Sequence, residues 1–294
     1  MKGMREIRGR IKAVKGTGKI TRAMQLVAAS KMKKAQARAE AGHPYSLLLM
    51  DLLDMLDPMM EANFEEFGLE RGGGRRLIIV FSTDRGLAGA LNTNLFKAIA
   101  SLDGDCSYVA VGSKAARFIS GTGRRLLAQF KIGDNVGFGE VRPIVDFAIG
   151  EFREKRVDTI EVLYPAFINT ITQEPQIVKV APVDGLKDFV DSMRAKYRAE
   201  IAERPEETRE IVFEPSAREL LSELPAYYIK NVVYQMALDA KASEQSARMV
   251  AMKNASDNAQ NLIDSLSLEY NKARQAAITT EITELAAAAA ASSE

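Results

Sequence analysis

Apolar positions recur at helical spacing over both ends of this chain and give way to short unbroken runs between them. Ile7, Ile11 and Val14, then Ile20, Met24 and Val27, fall three and four residues apart, as on one face of an α-helix. Leu47, Leu48, Leu52, Met55 and Leu56 resume the stripe. The spacing predicts a first helix over about residues 3–60. Gly16 and Gly18 weaken it locally, because glycine costs about 1 kcal/mol against alanine in a helix interior. Pro44 is expected to kink or end its first part, with a bend near Gly42–Pro44.

The far end reads as one longer helix. From Ser216 to Leu285 there is no glycine, and the only proline is Pro225. A helix of that length runs to about 105 Å at 1.5 Å per residue. Leu224, Tyr228, Val232, Met236, Ala240, Ser243, Ala247 and Val250 step by 4, 4, 4, 4, 3, 4 and 3, so one face stays apolar for many turns. Ala240, Ser243 and Ala247 are small enough to let a second helix come close. Beyond Val250 the face turns polar at Asn254, Asp257, Asn258 and Asn261. No small domain is wide enough to cover such a helix, so it needs a helical partner, and the first helix is the candidate. Joined across an intervening domain, the simplest pairing of the two is an antiparallel coiled coil.

Between them the period changes. Leu77–Phe81 and Tyr108–Val111 are buried-strand runs; Leu126–Phe130, Thr159–Tyr164 and Gln176–Val180 are further strands. Asn92–Leu102, Ser113–Ser120 and Ile144–Lys155 suit helices. Strands alternating with helices predict a largely parallel sheet. The fold class is therefore α/β plus coiled coil, with a central Rossmann-like domain of about five strands. The expected divisions are an N-terminal coiled-coil helix at 1–65, the α/β domain at 72–200 and a C-terminal coiled-coil helix at 210–294. The glycine-rich stretch Arg71–Arg75 serves as a joint, and residues 186–209 are highly charged.

Charge sharpens this picture. The net charge is +1, yet residues 1–38 hold twelve Lys or Arg and the single acid Glu6, so that segment is +11 and the remainder −10. A basic helical arm implies an acidic partner surface. Nucleic acid fits poorly, because no aromatic residue interleaves with these cations before Tyr45. The start MKGMREIRGRIK has no apolar run behind its charges and does not read as a secretory signal. No stretch supplies the roughly 18 apolar residues that span a bilayer.

Candidate chemistry is sparse. The one histidine, His43, reads as a surface or hinge residue, and the one cysteine, Cys106, as a buried inert thiol. No His/Cys cluster has metal spacing, and no cofactor or catalytic motif stands out. Gly16-Thr17-Gly18-Lys19 lacks the first glycine and the preceding strand of a phosphate loop. Ser82–Gly89 follows a strand and opens a helix, where parallel sheets often bind ligands, but its glycine spacing is neither a dinucleotide fingerprint nor a Walker loop. A structural turn with Asp84 and Asn92 or Thr93 capping is the favoured reading. The alternatives left open are a nucleotide-binding α/β protein with helical dimerisation arms and a coiled-coil nucleic-acid binder.

Four blocks of residues carry a family resemblance. Ile20–Met32 (ITRAMQLVAASKM), Ala242–Ala255 (ASEQSARMVAMKNA) and Tyr270–Thr279 (YNKARQAAIT) resemble terminal signatures of the gamma subunits of F-type ATP synthases. Ser82–Leu87 with Leu91–Asn94 is similar to that family's middle-domain signature. The resemblance spans essentially the whole chain. It implies a central rotor shaft without an active site of its own, which couples rotation of the membrane c-ring to conformational change in the catalytic beta subunits. The implied partners are the alpha and beta subunits, the epsilon subunit and the c-ring. It further implies that Arg274 and Gln275 engage a loop of beta, and that Arg248 and Met24 meet an acidic region of beta. Lys31, Lys33 and Lys34 are further contacts on the same reading. A peripheral place on the cytoplasmic side of a bacterial inner membrane is expected. Ala88 and Ala90 stand where the family commonly has Cys and Gly, and Cys106 has no second cysteine with which to form the regulatory pair of chloroplast relatives.

Overall fold

A computed structural model describes residues 2–60, 74–182 and 217–291. Helix α1 runs Lys2–Met60 and the last helix, α5, runs Ala217–Ala291, which is 75 residues. Between them come β1 (Arg76–Phe81), α2 (Leu91–Ala100), β2 (Cys106–Val111), α3 (Ser113–Gly121), β3 (Arg125–Phe130), α4 (Phe138–Arg153), β4 (Thr159–Phe167) and β5 (Gln173–Ala181). The sheet order is β3-β2-β1-β4-β5. The first four strands are parallel neighbours, and β5 returns antiparallel on β4.

Alternation along the strands explains the layers. Ile78 and Val80 of β1 point to one face, where they meet Leu95, Ile99, Ala115 and Ile119 of α2 and α3. Leu77, Ile79 and Phe81 point to the other, with Ile144, Val145 and Phe152 of α4. That second face is also covered by Tyr228, Val232, Met236 and Ala240 of α5 and by Ala39 and Leu49 of α1. Parts of both long helices therefore pack on the sheet. The start of the sheet is held by two paired arginines. Asp158, 3% exposed, accepts hydrogen bonds from the Arg75 backbone N–H and from Nε and Nη2 at 2.8–3.0 Å. Glu161 pairs with Arg76 at 2.5 Å.

By density of contacts the described chain forms two units. One comprises the outer parts of the two long helices, residues 1–28 and 248–294; the other is 29–247. In the second unit the helices run antiparallel. Moving along α1 from Gly42 to Tyr45, the neighbour on α5 falls back from Gln235 to Tyr227.

Helix α1 covers the predicted span of about 3–60 and continues through Gly42-His43-Pro44. Gly42 serves close approach there: a Cβ on it would collide with Nε2 of Gln235 and lie 3.1 Å from its Cδ. Helix α4 begins at Phe138, six residues before the predicted start. The Glu140 carboxylate accepts the Gly137 N–H at 3.3 Å, so the glycine-rich entry is a helix start rather than a loop. Cys106 does open β2, but it is half-buried, with its thiol 3.7 Å from the Asp103 carbonyl. The joint at 71–73, the charged stretch 186–209 and the side chains of His43 and Leu224 lie outside what is described.

Candidate interaction surface

The sequence nominated side chains on the two long helices, and they divide between the units. Met24, Arg248, Arg274 and Gln275 belong to the first unit, and Lys31, Lys33 and Lys34 to the second.

In the first unit the helix seam is thin and built from small residues. Gly18 lies where a Cβ would touch the Ala259 Cβ at 3.4 Å. Thr21, Ala28, Met252, Ala259 and Leu266 are its buried positions. Thr21 turns its hydroxyl onto its own helix, donating to the Gly18 carbonyl at 3.1 Å. The Gly18–Ala259 approach is ordinary van der Waals contact, so the glycine faces the seam without the seam requiring it. Met24 and Arg248 are half-buried beside this seam, while Arg274 and Gln275 are exposed. Further along α5, Ile278, Ile282 and Leu285 are 47%, 61% and 67% exposed. An apolar stripe left in water at helical spacing is a contact surface in waiting.

In the second unit, Lys31 already has a partner in its own chain, Asp134 at 2.6 Å. Arg38 donates to the Asn135 side chain at 3.2 Å. These bonds fix α1 to the loop before α4. They line a shallow cleft with Lys34 and Lys241, of about 20 Å³. Lys33 and Lys34 are exposed. Of the nominated lysines, then, Lys31 would have to exchange an internal bond for an external one.

The turn after β1 behaves as a structural device. Asn92 accepts the Thr83 N–H at 3.3 Å and donates to the Thr83 hydroxyl at 2.8 Å. Asp84 accepts the Ser113 N–H at 2.9 Å, so it caps α3 rather than the helix that follows it. Leu87 in this turn has φ 65° and is 61% exposed. At the carboxyl ends of β1 and β4, where open parallel sheets bind ligands, the crevice is occupied by α5. Ala240, Lys241 and Glu244 close it against Ser82, Thr83, Leu91, Ile132 and Pro165, leaving about 10 Å³, room for no more than a single water. Lys241 and Glu244, 7% and 6% exposed, are paired at 3.0 Å. Two residues on, Ser246 donates to the Thr170 carbonyl at 2.7 Å. A nucleotide has no space there, which weighs against the nucleotide-binding alternative.

This lodging of α5 was missed by the one-stripe reading of its sequence. The signal was present as doublets. Ile229, Val233 and Ala237 follow Tyr228, Val232 and Met236 by one residue each, so two adjacent stripes are apolar and the helix is buried on more than one side. Among the described residues no group of three His, Cys, Asp or Glu could hold a metal ion, and no helix is long and apolar enough to cross a membrane.

Comparison with known proteins agrees with this geometry. Residues 3–291 match the family described as ATP synthase. The ATP synthase gamma chain of Opitutus terrae is 48% identical over 288 residues, covering 98% of each chain. That of Methylacidiphilum infernorum is 42% identical over 292 residues, covering 97% of each. Among solved structures, a chain of the Tetrahymena thermophila mitochondrial ATP synthase central stalk and c-ring superposes with a TM-score of 0.61 at 24% identity, over 81% of this chain and 99% of that one. A chain of the Euglena gracilis mitochondrial ATP synthase gives 0.67 at 16% identity, over 98% and 94%. At these identities the structural matches establish the fold.

Proposed function

The chain belongs to the ATP synthase gamma-chain family, and on that premise we propose that it is the rotor shaft of a proton-translocating ATP synthase. It couples rotation of the membrane c-ring to conformational change in the catalytic beta subunits and makes or breaks no bond itself. The observation that carries this reading is the pair of terminal helices: residues 1–28 and 248–294 cluster as one compact unit. A shaft needs a stiff element longer than any domain core requires. Its 75-residue helix, about 112 Å at 1.5 Å per residue, supplies that.

On this reading the stretches 1–65 and 210–294 are the coil and 72–200 the α/β domain. Arg274 and Gln275, exposed on α5, engage a loop of beta, with Arg248 and Met24 meeting an acidic region of the same subunit. A planar guanidinium suits such a place because it can grip a carboxylate with two parallel hydrogen bonds. Lys33 and Lys34 add contacts, and Lys31 joins them if it releases Asp134. The epsilon subunit and the c-ring are the remaining partners. The chain is peripheral, on the cytoplasmic side of a bacterial inner membrane, and touches the membrane only through those partners.

Reconstitution with alpha and beta subunits tests the proposal. The purified chain alone should hydrolyse no ATP, and it should co-purify with alpha and beta as a complex whose hydrolysis drives proton pumping. Hydrolysis by the chain alone, or failure to enter the complex, overturns it.

A further inference from the structure

Among the described tyrosines two are exposed, and they are bonded to each other. Tyr45 of α1 and Tyr227 of α5 are 50% and 40% exposed, and their hydroxyl oxygens share a hydrogen bond at 2.9 Å. Tyr108, Tyr164, Tyr228, Tyr234 and Tyr270 are buried or half-buried. An exposed hydroxyl can bond to water, so the helices, not desolvation, set this pairing. Packing holds Tyr227 in place. Its ring lies 6.0 Å from that of Phe138 at the start of α4. Tyr234, further along α5, meets the same Phe138 edge-on at 5.7 Å. The two helices approach closely nearby, where Gly42 faces Gln235 without room for a Cβ. The hydrogen bond joins positions 182 residues apart in sequence. It also holds the Tyr45 phenol above its ordinary value, with burial as a smaller cause, so Tyr45 keeps its proton at neutral pH.

We infer that Tyr45 and Tyr227 form an oxidative cross-linking site, where one-electron oxidants of the peroxidase-ferryl or peroxyl-radical class join the two rings as dityrosine and tie α1 to α5. Each phenol gives one electron to the oxidant and its O–H proton to water. The two tyrosyl radicals carry spin on the ring carbons ortho to oxygen, and one such carbon from each ring forms the new C–C bond. The hydrogen on each of those carbons then moves as a proton to its own ring oxygen and restores two phenols. The chain loses two hydrogen atoms in all; with hydrogen peroxide as the terminal oxidant, one peroxide takes them up and gives two waters. Coupling needs two rings within reach during the life of the radicals. The hydroxyl–hydroxyl bond meets that condition before oxidation begins, and rotation of the exposed side chains brings the ortho carbons together. No second pair of exposed tyrosines competes among the described residues. The new bond closes a loop across the whole α/β domain and restricts the unfolded chain as a disulfide would. With Cys106 as the single cysteine, no disulfide can do this within the chain. The inference concerns the chain by itself and stands independently of the rotor reading.

The test uses the dilute full-length chain with photo-oxidised tris-bipyridyl ruthenium and persulfate as the one-electron oxidant. A single chain two hydrogen atoms lighter should form, with blue dityrosine fluorescence. Tryptic digestion should give one linked pair of peptides, containing Tyr45 and Tyr227. The linked chain should unfold at least about 5 °C higher than the unlinked one. Tyr45→Phe and Tyr227→Phe should each abolish the bond, while Tyr270→Phe leaves its yield unchanged. Phenylalanine keeps the packing of the ring, so far-UV circular dichroism of the variants should match the wild type. Peptide mapping of the wild type decides the matter even where a variant misfolds. A wild-type chain that stays unlinked, links through other tyrosines or links only to a second copy overturns the site. So does a bond that survives Tyr45→Phe. A linked chain with unchanged Tm overturns the tie between the helices.

Discussion

Replacing Gly42 by alanine should destabilise the protein, although alanine is the better helix former. On propensity alone Gly42→Ala gains about 1 kcal/mol in a helix interior. Against that stands Gln235, 6% exposed, whose amide occupies the space a Cβ would take and whose Cδ would be 3.1 Å away. Overfilling a packed site costs about 1–3 kcal/mol. The Gln235 Oε1 has no hydrogen-bond partner to lose, so turning the amide aside strands no further acceptor. The opposing terms leave a net loss of roughly 1 kcal/mol, and at 2–4 °C per kcal/mol the Tm should fall by about 2–4 °C. Gly16→Ala is the internal control. It lies on the same helix with nothing within 4 Å of its added Cβ, so it should gain up to about 1 kcal/mol. Thermal and urea unfolding followed by far-UV circular dichroism would report both. The double change Gly42→Ala/Gln235→Ala should recover much of the loss relative to the sum of the single changes. If Gly42→Ala is as stable as Gly16→Ala, or the double variant shows no coupling, then the notch is not what glycine provides at position 42.

Other outcomes follow from the same contacts. Arg274→Ala should leave the unfolding free energy of the isolated chain within about 0.5 kcal/mol of the wild type, as an exposed substitution does, while lowering proton pumping per ATP in the reconstituted complex; unchanged coupling removes that residue from the beta contact. Gly112→Ala should be severely destabilising, because φ is +100° and a Cβ would press on the Ser82 carbonyl group; urea midpoints check it. Asp158→Ala should lower the urea midpoint, since it removes the buried carboxylate that accepts the Arg75 backbone N–H and guanidinium. The Arg156 hydrogen bonds hold the Glu151 carboxyl below its ordinary value. A depressed folded value stabilises above the unfolded pKa of about 4.3 and is lost as pH falls through the folded one. Glu151→Gln should therefore narrow the gap between stability at pH 7 and at pH 3, and an equal gap in both proteins would refute the pairing.

Much of this architecture was legible because local signals agreed with one another. Leu77–Phe81 has the β-branched and aromatic content, the length and the flanking turn of a buried strand, and β1 lies at the centre of the sheet. The 216–285 stretch lacks any glycine, and the helix Ala217–Ala291 is continuous. What stayed hidden were distant contacts. Nothing local beside Gly42 reveals that Gln235, almost two hundred positions away, lies where its Cβ would be. The helix predicted from Ile144 starts at Phe138, where Glu140 captures the Gly137 N–H. Asp84 was correctly seen as a cap, but the helix it caps is the next one along. For the interaction surface, spacing showed which cations share a face. It could not show that Lys31 would be engaged by Asp134 of its own chain, since that bond depends on how a loop 103 residues later returns.

The lodging of Lys241 and Glu244 at the mouth of the sheet has a consequence for regulation. Enzymes with open crevices stiffen and relax as metabolites come and go, and the cell's energy state is read directly by the fold. Here that berth is filled by the chain's own helix, with about 10 Å³ left over, so a ligand reaches the strand ends only by prising α5 away from them.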